Sequence, residues 1–214
     1  MTDVDIEPFV KADGPGVAHV IEAMAQLPNL ARMHAHGFVV DVAAVRGLGP
    51  APMWSEGEDV LQPVRGCIGG EGEPPGGLLL AVRAARYGEA HVPDKAFYEN
   101  RTLASIELPA GLTSIGGYAF RDCSSLASVE LPAGLTSIRQ YAFYGCSSLA
   151  SVELPAGLTS IGDSAFFRCS SLASVELPAG LTSIGVRAFQ GCSSLASVEL
   201  PAGLTRMGGG ALDC

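Results

Sequence analysis

The chain has 214 residues, enough for one domain or one domain with an appendage. Charged residues make up only 16%, against ~25% in an ordinary globular chain, so Ser, Thr and Gly must keep much of the surface wet. A net charge of −9 sets the chain against phosphate backbones and argues against a nucleic-acid partner.

At the amino terminus, Met1 to Glu7 carry neither the basic stretch nor the apolar run of a secretory signal. Apolar runs such as Leu78–Val82 fall far short of the ~20 residues that cross a bilayer. The chain as given is therefore expected to be soluble, without membrane insertion, and cytoplasmic by default. Asp13-Gly14-Pro15-Gly16 is predicted to start a helix with Val17, Val20, Ile21 and Met24 on one face, ended near Pro28. His34-Ala35-His36 has the alternation of a metal-binding pair. It has no H-E-x-x-H companion, and His19 and His91 stand in no motif, so no metal site and no catalytic residue are predicted. Phe38 to Val42 reads as a strand. The breaker-rich stretches 47–52 and 69–77 read as loops or linkers. Neither a phosphate loop nor a G-x-S-x-G elbow occurs, so no cofactor and no enzyme activity are expected. Residues 1–79 are predicted to be a small irregular portion, either a cap on the first repeat or partly disordered.

Residues 80–214 are built from an internal repeat. The segment Leu103 to Ile115 recurs nearly letter for letter from Leu126, Leu149, Leu172 and Leu195, a step of 23 residues. Ala-Phe returns at Ala119-Phe120, Ala142-Phe143, Ala165-Phe166 and Ala188-Phe189. A cysteine follows each Phe by three residues, at Cys123, Cys146, Cys169 and Cys192. A degenerate unit precedes these, with Ala96-Phe97 in phase and Asn100 in the cysteine position. The last unit has Leu212 for Phe and Cys214 one residue early.

Within a unit, Ile106 and Leu108 alternate with Ser105 and Glu107, the period of a short strand with one buried face. Pro109 ends it, since proline cannot donate to a ladder. Leu112 and Ile115 are predicted to point inward on a second extended stretch, and Ala119-Phe120 to lie on a short helical turn with Phe in the core. The few apolar side chains of one unit cannot offset the entropy of ordering 23 backbones, so a unit is stable only when stacked on its neighbours.

The pattern L-x-x-[IV]-x-L-P-x-x-L-x-x-I-x-x-x-A-F-x-x-C, over about Val92 to Cys214, resembles the BspA-like leucine-rich-repeat family of bacterial and protozoan surface antigens. The resemblance implies a leucine-rich-repeat solenoid, β-rich, with a parallel concave sheet and short helical turns on the convex side. It also implies, for many members, surface display and adhesion to proteins.

Two sets of residues are candidates for binding a protein ligand. The first is the outward side of the strand, one Ser and one Glu per unit: Ser105, Glu107, Ser128, Glu130, Ser151, Glu153, Ser174, Glu176, Ser197 and Glu199. Carboxylates stacked at ~5 Å repel by about 0.8 kcal/mol in water, so the column is expected to attract a basic partner or Ca²⁺. The second comprises positions that differ between copies: Tyr118, Arg121, Tyr141, Tyr144, Phe167, Arg168 and Arg187, with Arg139, Gln140 and Asp163 beside them. Tyr, Arg and exposed Phe are residue types of binding hot spots. The cysteine column lacks the convergence of a metal site and is read as buried reduced thiols. The function expected is a protein-binding repeat module, adhesin-like or scaffold; the alternative is a structural solenoid that self-associates through its uncapped carboxy-terminal end.

Overall fold

The computed structural model describes residues 2–5, 30–35, 38–48, 61–70, 82, 90–108 and 110–214. Contacts divide the chain into two units, Met1–Ala90 with Pro109–Gly111, and His91–Leu108 with Leu112–Cys214.

The first unit contains a four-stranded sheet in the order β1 (Thr2–Asp5), β2 (Leu30–Ala35), β3 (Phe38–Asp41), β4 (Ile68–Gly69). The first pair is parallel and the other two antiparallel. The strand expected over 38–42 is present, with Phe38 and Val40 buried and Asp41 exposed. It stops one residue early because Asp41 caps a helix: its Oδ1 accepts the Ala44 N–H at 2.9 Å, and α1 runs Val42–Gly47 with Val42 and Val45 buried. A second short helix, α2 (Gln62–Arg65), starts with proline in its first turn and leads into β4. His34 lies on β2. The helix expected from residue 13 and His36 both lie outside the described residues.

The second unit is a parallel β-solenoid. In chain order its strands are β5 (His91–Val92), β6 (Ser105–Glu107), β7 (Ser114–Ile115), β8 (Ser128–Glu130), β9 (Ser137–Ile138), β10 (Ser151–Val152), β11 (Ser160–Ile161), β12 (Ser174–Val175), β13 (Ser183–Ile184) and β14 (Arg206–Met207). The Thr-Ser-Ile segments form the longer sheet, six strands in the order β14-β13-β11-β9-β7-β5. Ser114 pairs with Ser137, Ser137 with Ser160 and Ser160 with Ser183, each one repeat apart. The Ser-[IV]-Glu segments pair only two by two, β6 with β8 and β10 with β12.

The interior consists of columns. Leu112, Leu135, Leu158 and Leu181 are buried, as are Ile115, Ile138, Ile161 and Ile184. Phe97, Phe120, Phe143, Phe166 and Phe189 form an unbroken stack, with centroids 5.1–5.2 Å apart and rings within 9° of parallel. Hydroxyls reinforce the stacking on the outside. Thr136, Thr159, Thr182 and Thr205 each donate Oγ1 to the carbonyl of the Thr one coil earlier, at 3.0 Å.

The Ala-Phe segment departs from the expected helical turn. The N–H groups of Tyr118, Phe120 and Asp122 donate to the next coil, to the carbonyls of Gln140, Ala142 and Tyr144 at 3.1, 2.8 and 2.7 Å. Those of Ala119, Arg121 and Cys123 instead donate three residues back, to Gly116, Tyr118 and Phe120. Alternating donors therefore close tight turns and bind coils together. A helix is ruled out by left-handed backbone at Tyr118 (φ 59°) and Asp122 (φ 58°), a feature repeated at Tyr141, Ser164, Arg168 and Arg187.

Candidate functional site

The left-handed turns determine where the variable side chains go. Each lifts its side chains to the surface at the same place on successive coils, so residues 23 apart meet. Tyr118 stacks on Tyr141 with centroids 4.8 Å apart, and Tyr144 stacks on Phe167 at 5.0 Å. Tyr141 and Tyr144 touch at a tilt, 5.9 Å apart, which joins the two stacks into one ladder. The guanidinium of Arg121 sits over three rings, Tyr144 at 4.9 Å, Tyr98 at 5.6 Å and Tyr118 at 5.7 Å. Its Nε also donates to Asp122 Oδ2 at 3.1 Å. Lys95 Nζ lies over Tyr98 and Tyr118, and Arg168 over Phe167 at 5.3 Å. Tyr98 is 38% exposed, whereas Tyr118, Tyr141, Tyr144 and Phe167 are half-buried by one another.

Six of the seven variable candidates are thus brought into a single aromatic and cationic patch. Arg187, one coil beyond Ser164, is exposed and makes no ring contact among the described residues. Lys95 and Tyr98 belong to the patch although the sequence reading passed over them. The signal was present: they stand 23 residues before Tyr118 and Arg121 in the degenerate first unit.

The Ser/Glu column lies on the short two-stranded sheets. Ser105, Ser128, Ser151, Ser174 and Ser197 are exposed, as are Glu130, Glu153, Glu176 and Glu199, and Glu107 pairs in register with Glu130. The exposed Ser and Glu positions recur once per coil. An open groove of about 780 Å³ lies elsewhere, over the six-stranded sheet. Ser114, Ser137, Ser160 and Ser183 line it, with Arg139, Gln140, Tyr141 and Asp163. Arg139 bonds Asp94 at 3.3 Å, and Asp163 Oδ1 accepts the Val186 N–H at 2.7 Å. Tyr141 belongs both to the groove wall and to the aromatic ladder.

All six cysteines are free thiols, buried except for Cys214. Cys123, Cys146, Cys169 and Cys192 each donate Sγ–H to a Phe carbonyl of the preceding coil at 3.0–3.2 Å. Burial pushes the Cys123 and Cys192 thiols up to about 12, and it raises those of Cys146 and Cys169 well above the ordinary thiol value too. Such thiols are inert packing groups. Among the described residues no group of three His, Cys, Asp or Glu side chains is placed to hold a metal ion. Nor is any described helix long and apolar enough to cross a membrane.

Short parallel strands in register, a Leu/Ile/Phe interior repeated every 23 residues and variable side chains on the turns define a leucine-rich-repeat solenoid. The chain belongs to the BspA-type leucine-rich repeat family, whose repeat region matches residues 90–213 in six copies. This repeat family and fold are typically non-enzymatic, and family members are commonly protein-interaction or surface proteins. The crystal structure of the T. pallidum leucine-rich repeat protein TpLRR is similar, at 45% identity and a TM-score of 0.52, over 52% of this chain and 52% of that one. Leucine-rich repeat proteins from Bacteroides ovatus and Eubacterium ventriosum are each 29% identical over 55% of this chain. They have TM-scores of 0.43 and 0.49 and are covered over 37% and 33% of their own lengths. The chain therefore spans about half the length of the T. pallidum structure and less of the other two. No curated protein matches it.

Proposed function

We propose that the chain is a non-enzymatic protein-recognition module that engages its partner through the aromatic and cationic patch on the turns. The observation that carries this reading is the ladder Tyr118, Tyr141, Tyr144 and Phe167 with Arg121 seated among three rings. Rigid aromatic side chains cost little entropy to immobilise, and they are already held by their neighbours. Tyr and Arg are the residue types whose loss weakens protein interfaces most. Copies differ at these positions while the rest of the repeat is nearly identical, so a specific partner is read here more readily than on the uniform Ser/Glu column.

Photo-crosslinking tests this reading. A benzoyl-phenylalanine at position 144 or 167 is expected to capture the same partner from a panel of matrix proteins and cell extract. The same probe at position 151 is expected to capture none. Capture only at position 151 would move the interface to the Ser/Glu column, and no capture with concentration-dependent oligomers would favour the self-associating solenoid.

A further inference from the structure

The groove over the six-stranded sheet has a lining unlike that of the aromatic patch. Along its floor Ser114, Ser137, Ser160 and Ser183 repeat at the coil spacing of ~4.8 Å, half-buried. The neighbouring hydroxyls of Thr136, Thr159 and Thr182 are used by the carbonyl of the previous coil, but the four Ser hydroxyls form no hydrogen bond with a described residue. The Gln140 amide makes none either, and Asp163 has one oxygen on Val186 and one left over among the described residues. Gly116, Gly162 and Gly185 line the groove beside this row. A Cβ at Gly116 or Gly162 would come within 2.6 Å of backbone in the preceding coil, so the close approach of coils requires glycine there. Arg139 is the exception in that column and stands up from the floor, tied by one nitrogen to Asp94.

The occupant follows from this chemistry. The two isoleucines that border the groove are 1% exposed, so neither offers a face to a peptide side chain. The charges on the lining, Arg139 and Asp163, have opposite signs and select neither an anionic nor a cationic polymer. What remains is a row of hydroxyls with one amide, one carboxylate, one guanidinium and the His91 imidazole, groups that pair with vicinal hydroxyls by donating and accepting. Tyr141 supplies the wall. Tyr118 stacks on one of its faces and Tyr144 touches it at a tilt, and it brings a hydroxyl to the lining. From His91 to Ser183 the groove runs four coil spacings, roughly 19 Å. A linked pyranose ring is close to one coil spacing long, so successive sugars would meet equivalent Ser positions. We propose that this groove binds a linear, uncharged oligosaccharide laid along the coil axis, a site that adjoins the protein-binding patch at Tyr141.

Calorimetric titration of the full chain with cello-, xylo-, manno- and N-acetylchito-oligosaccharides tests it. At least one series is expected to bind saturably, with affinity rising until the ligand fills about four coil spacings and little change between low and high salt. The variant Ser137→Val/Ser160→Val keeps strand-favouring residues and removes the hydroxyls, and Gln140→Ala removes the amide. Each is expected to weaken binding by about tenfold through lost hydrogen bonds. Asp163→Asn retains an acceptor for the Val186 N–H and gives a further folded variant with the carboxylate gone. Ser194→Ala, at an exposed position outside the groove, leaves sugar affinity unchanged. Binding by none of the four series, affinity unchanged in the Ser and Gln variants, or binding abolished by salt would each overturn the proposal. Partner capture at position 144 is read independently and does not depend on this result.

Discussion

Cys146 Sγ donates a hydrogen bond to the carbonyl oxygen of Phe120, 26 residues earlier, at 3.1 Å. The same oxygen accepts the backbone N–H of Cys123 at 3.2 Å, so one carbonyl joins a tight turn to the next coil. Asn100 takes the cysteine position in the first unit and uses its side-chain oxygen differently, accepting from Thr102 and Leu103 N–H at 3.2 and 3.1 Å.

A thiol held this way is protonated well into alkaline pH. Burial raises the Cys123 and Cys192 thiols from an ordinary 9.0 to about 12. In the unfolded chain the thiol ionises near 9, whereas in the folded chain it does not, so the unfolded state binds fewer protons above that point. The stabilising contribution is therefore fully present below pH 9 and is lost as pH rises from 9 to about 12. Each such thiol adds a slope of up to ~1.4 kcal/mol per pH unit in that window. Urea unfolding between pH 8 and about 11 should show stability falling with pH. The fall should be shallower in Cys146→Ala, although that variant is less stable by ~1–3 kcal/mol at neutral pH. Native protein should also resist a thiol reagent at its four column cysteines until unfolded.

Phe143 occupies the middle of the ring stack, between Phe120 and Phe166. Phe143→Ala removes two stacking contacts and leaves a cavity, at an expected cost of ~3–5 kcal/mol. Coils touch only their neighbours, so the loss is local. Amide hydrogen exchange should show protection falling most in the coils around residue 143 and least in those around Phe97. Uniform loss of protection along the solenoid would mean that the coils unfold as one cooperative block.

The repeat, its 23-residue step, the inward Leu, Ile and Phe and the buried thiols were legible in the sequence because each is a matter of spacing and side-chain polarity. Three features were not. The turn around Ala119-Phe120 reads as helix from composition, since nothing in Tyr118 or Asp122 announces a left-handed backbone that the stacking of coils imposes. The strand rich in Ser and Glu is the more conspicuous by alternation, yet the longer sheet and the groove belong to the two-residue Thr-Ser-Ile strands, too short for alternation to register. The patch was half visible: its residues were variable positions, but only the register brings Arg121 over Tyr98 and Tyr144 together.

The left-handed positions leave stability to be gained. Arg187 has φ 55°, is exposed and lies outside the patch, while Gly210 takes the equivalent place in the next coil at φ 67°. Left-handed backbone costs a side chain ~1–2 kcal/mol, and glycine's extra entropy in the unfolded chain returns ~0.5–1 of that. Arg187→Gly is therefore expected to raise stability by ~0.5–1 kcal/mol, seen as a higher denaturant midpoint with an unchanged slope. Gly162 is needed for a different reason, the close approach of coils: Gly162→Ala is expected to lower stability by ~1–3 kcal/mol, since the new methyl meets Gln140 N at 2.5 Å.

The glutamate column should act as a mild, salt-sensitive liability. Glu130, Glu153, Glu176 and Glu199 are exposed and one coil apart, and at ~5 Å in water each neighbouring pair repels by about 0.8 kcal/mol. Glu153 has a neighbour on both sides, so Glu153→Gln is expected to stabilise the solenoid by up to ~1 kcal/mol at low ionic strength. At about 1 M salt the screening length falls to ~3 Å and the gain should vanish. Glu199→Gln, with a Glu neighbour on one side only, should gain about half as much. Paired unfolding curves of both variants at the two salt concentrations check the ordering. If Ca²⁺ at low salt stabilises the native chain more than it does Glu153→Gln, the column recruits cations; equal shifts would mean that it only repels itself.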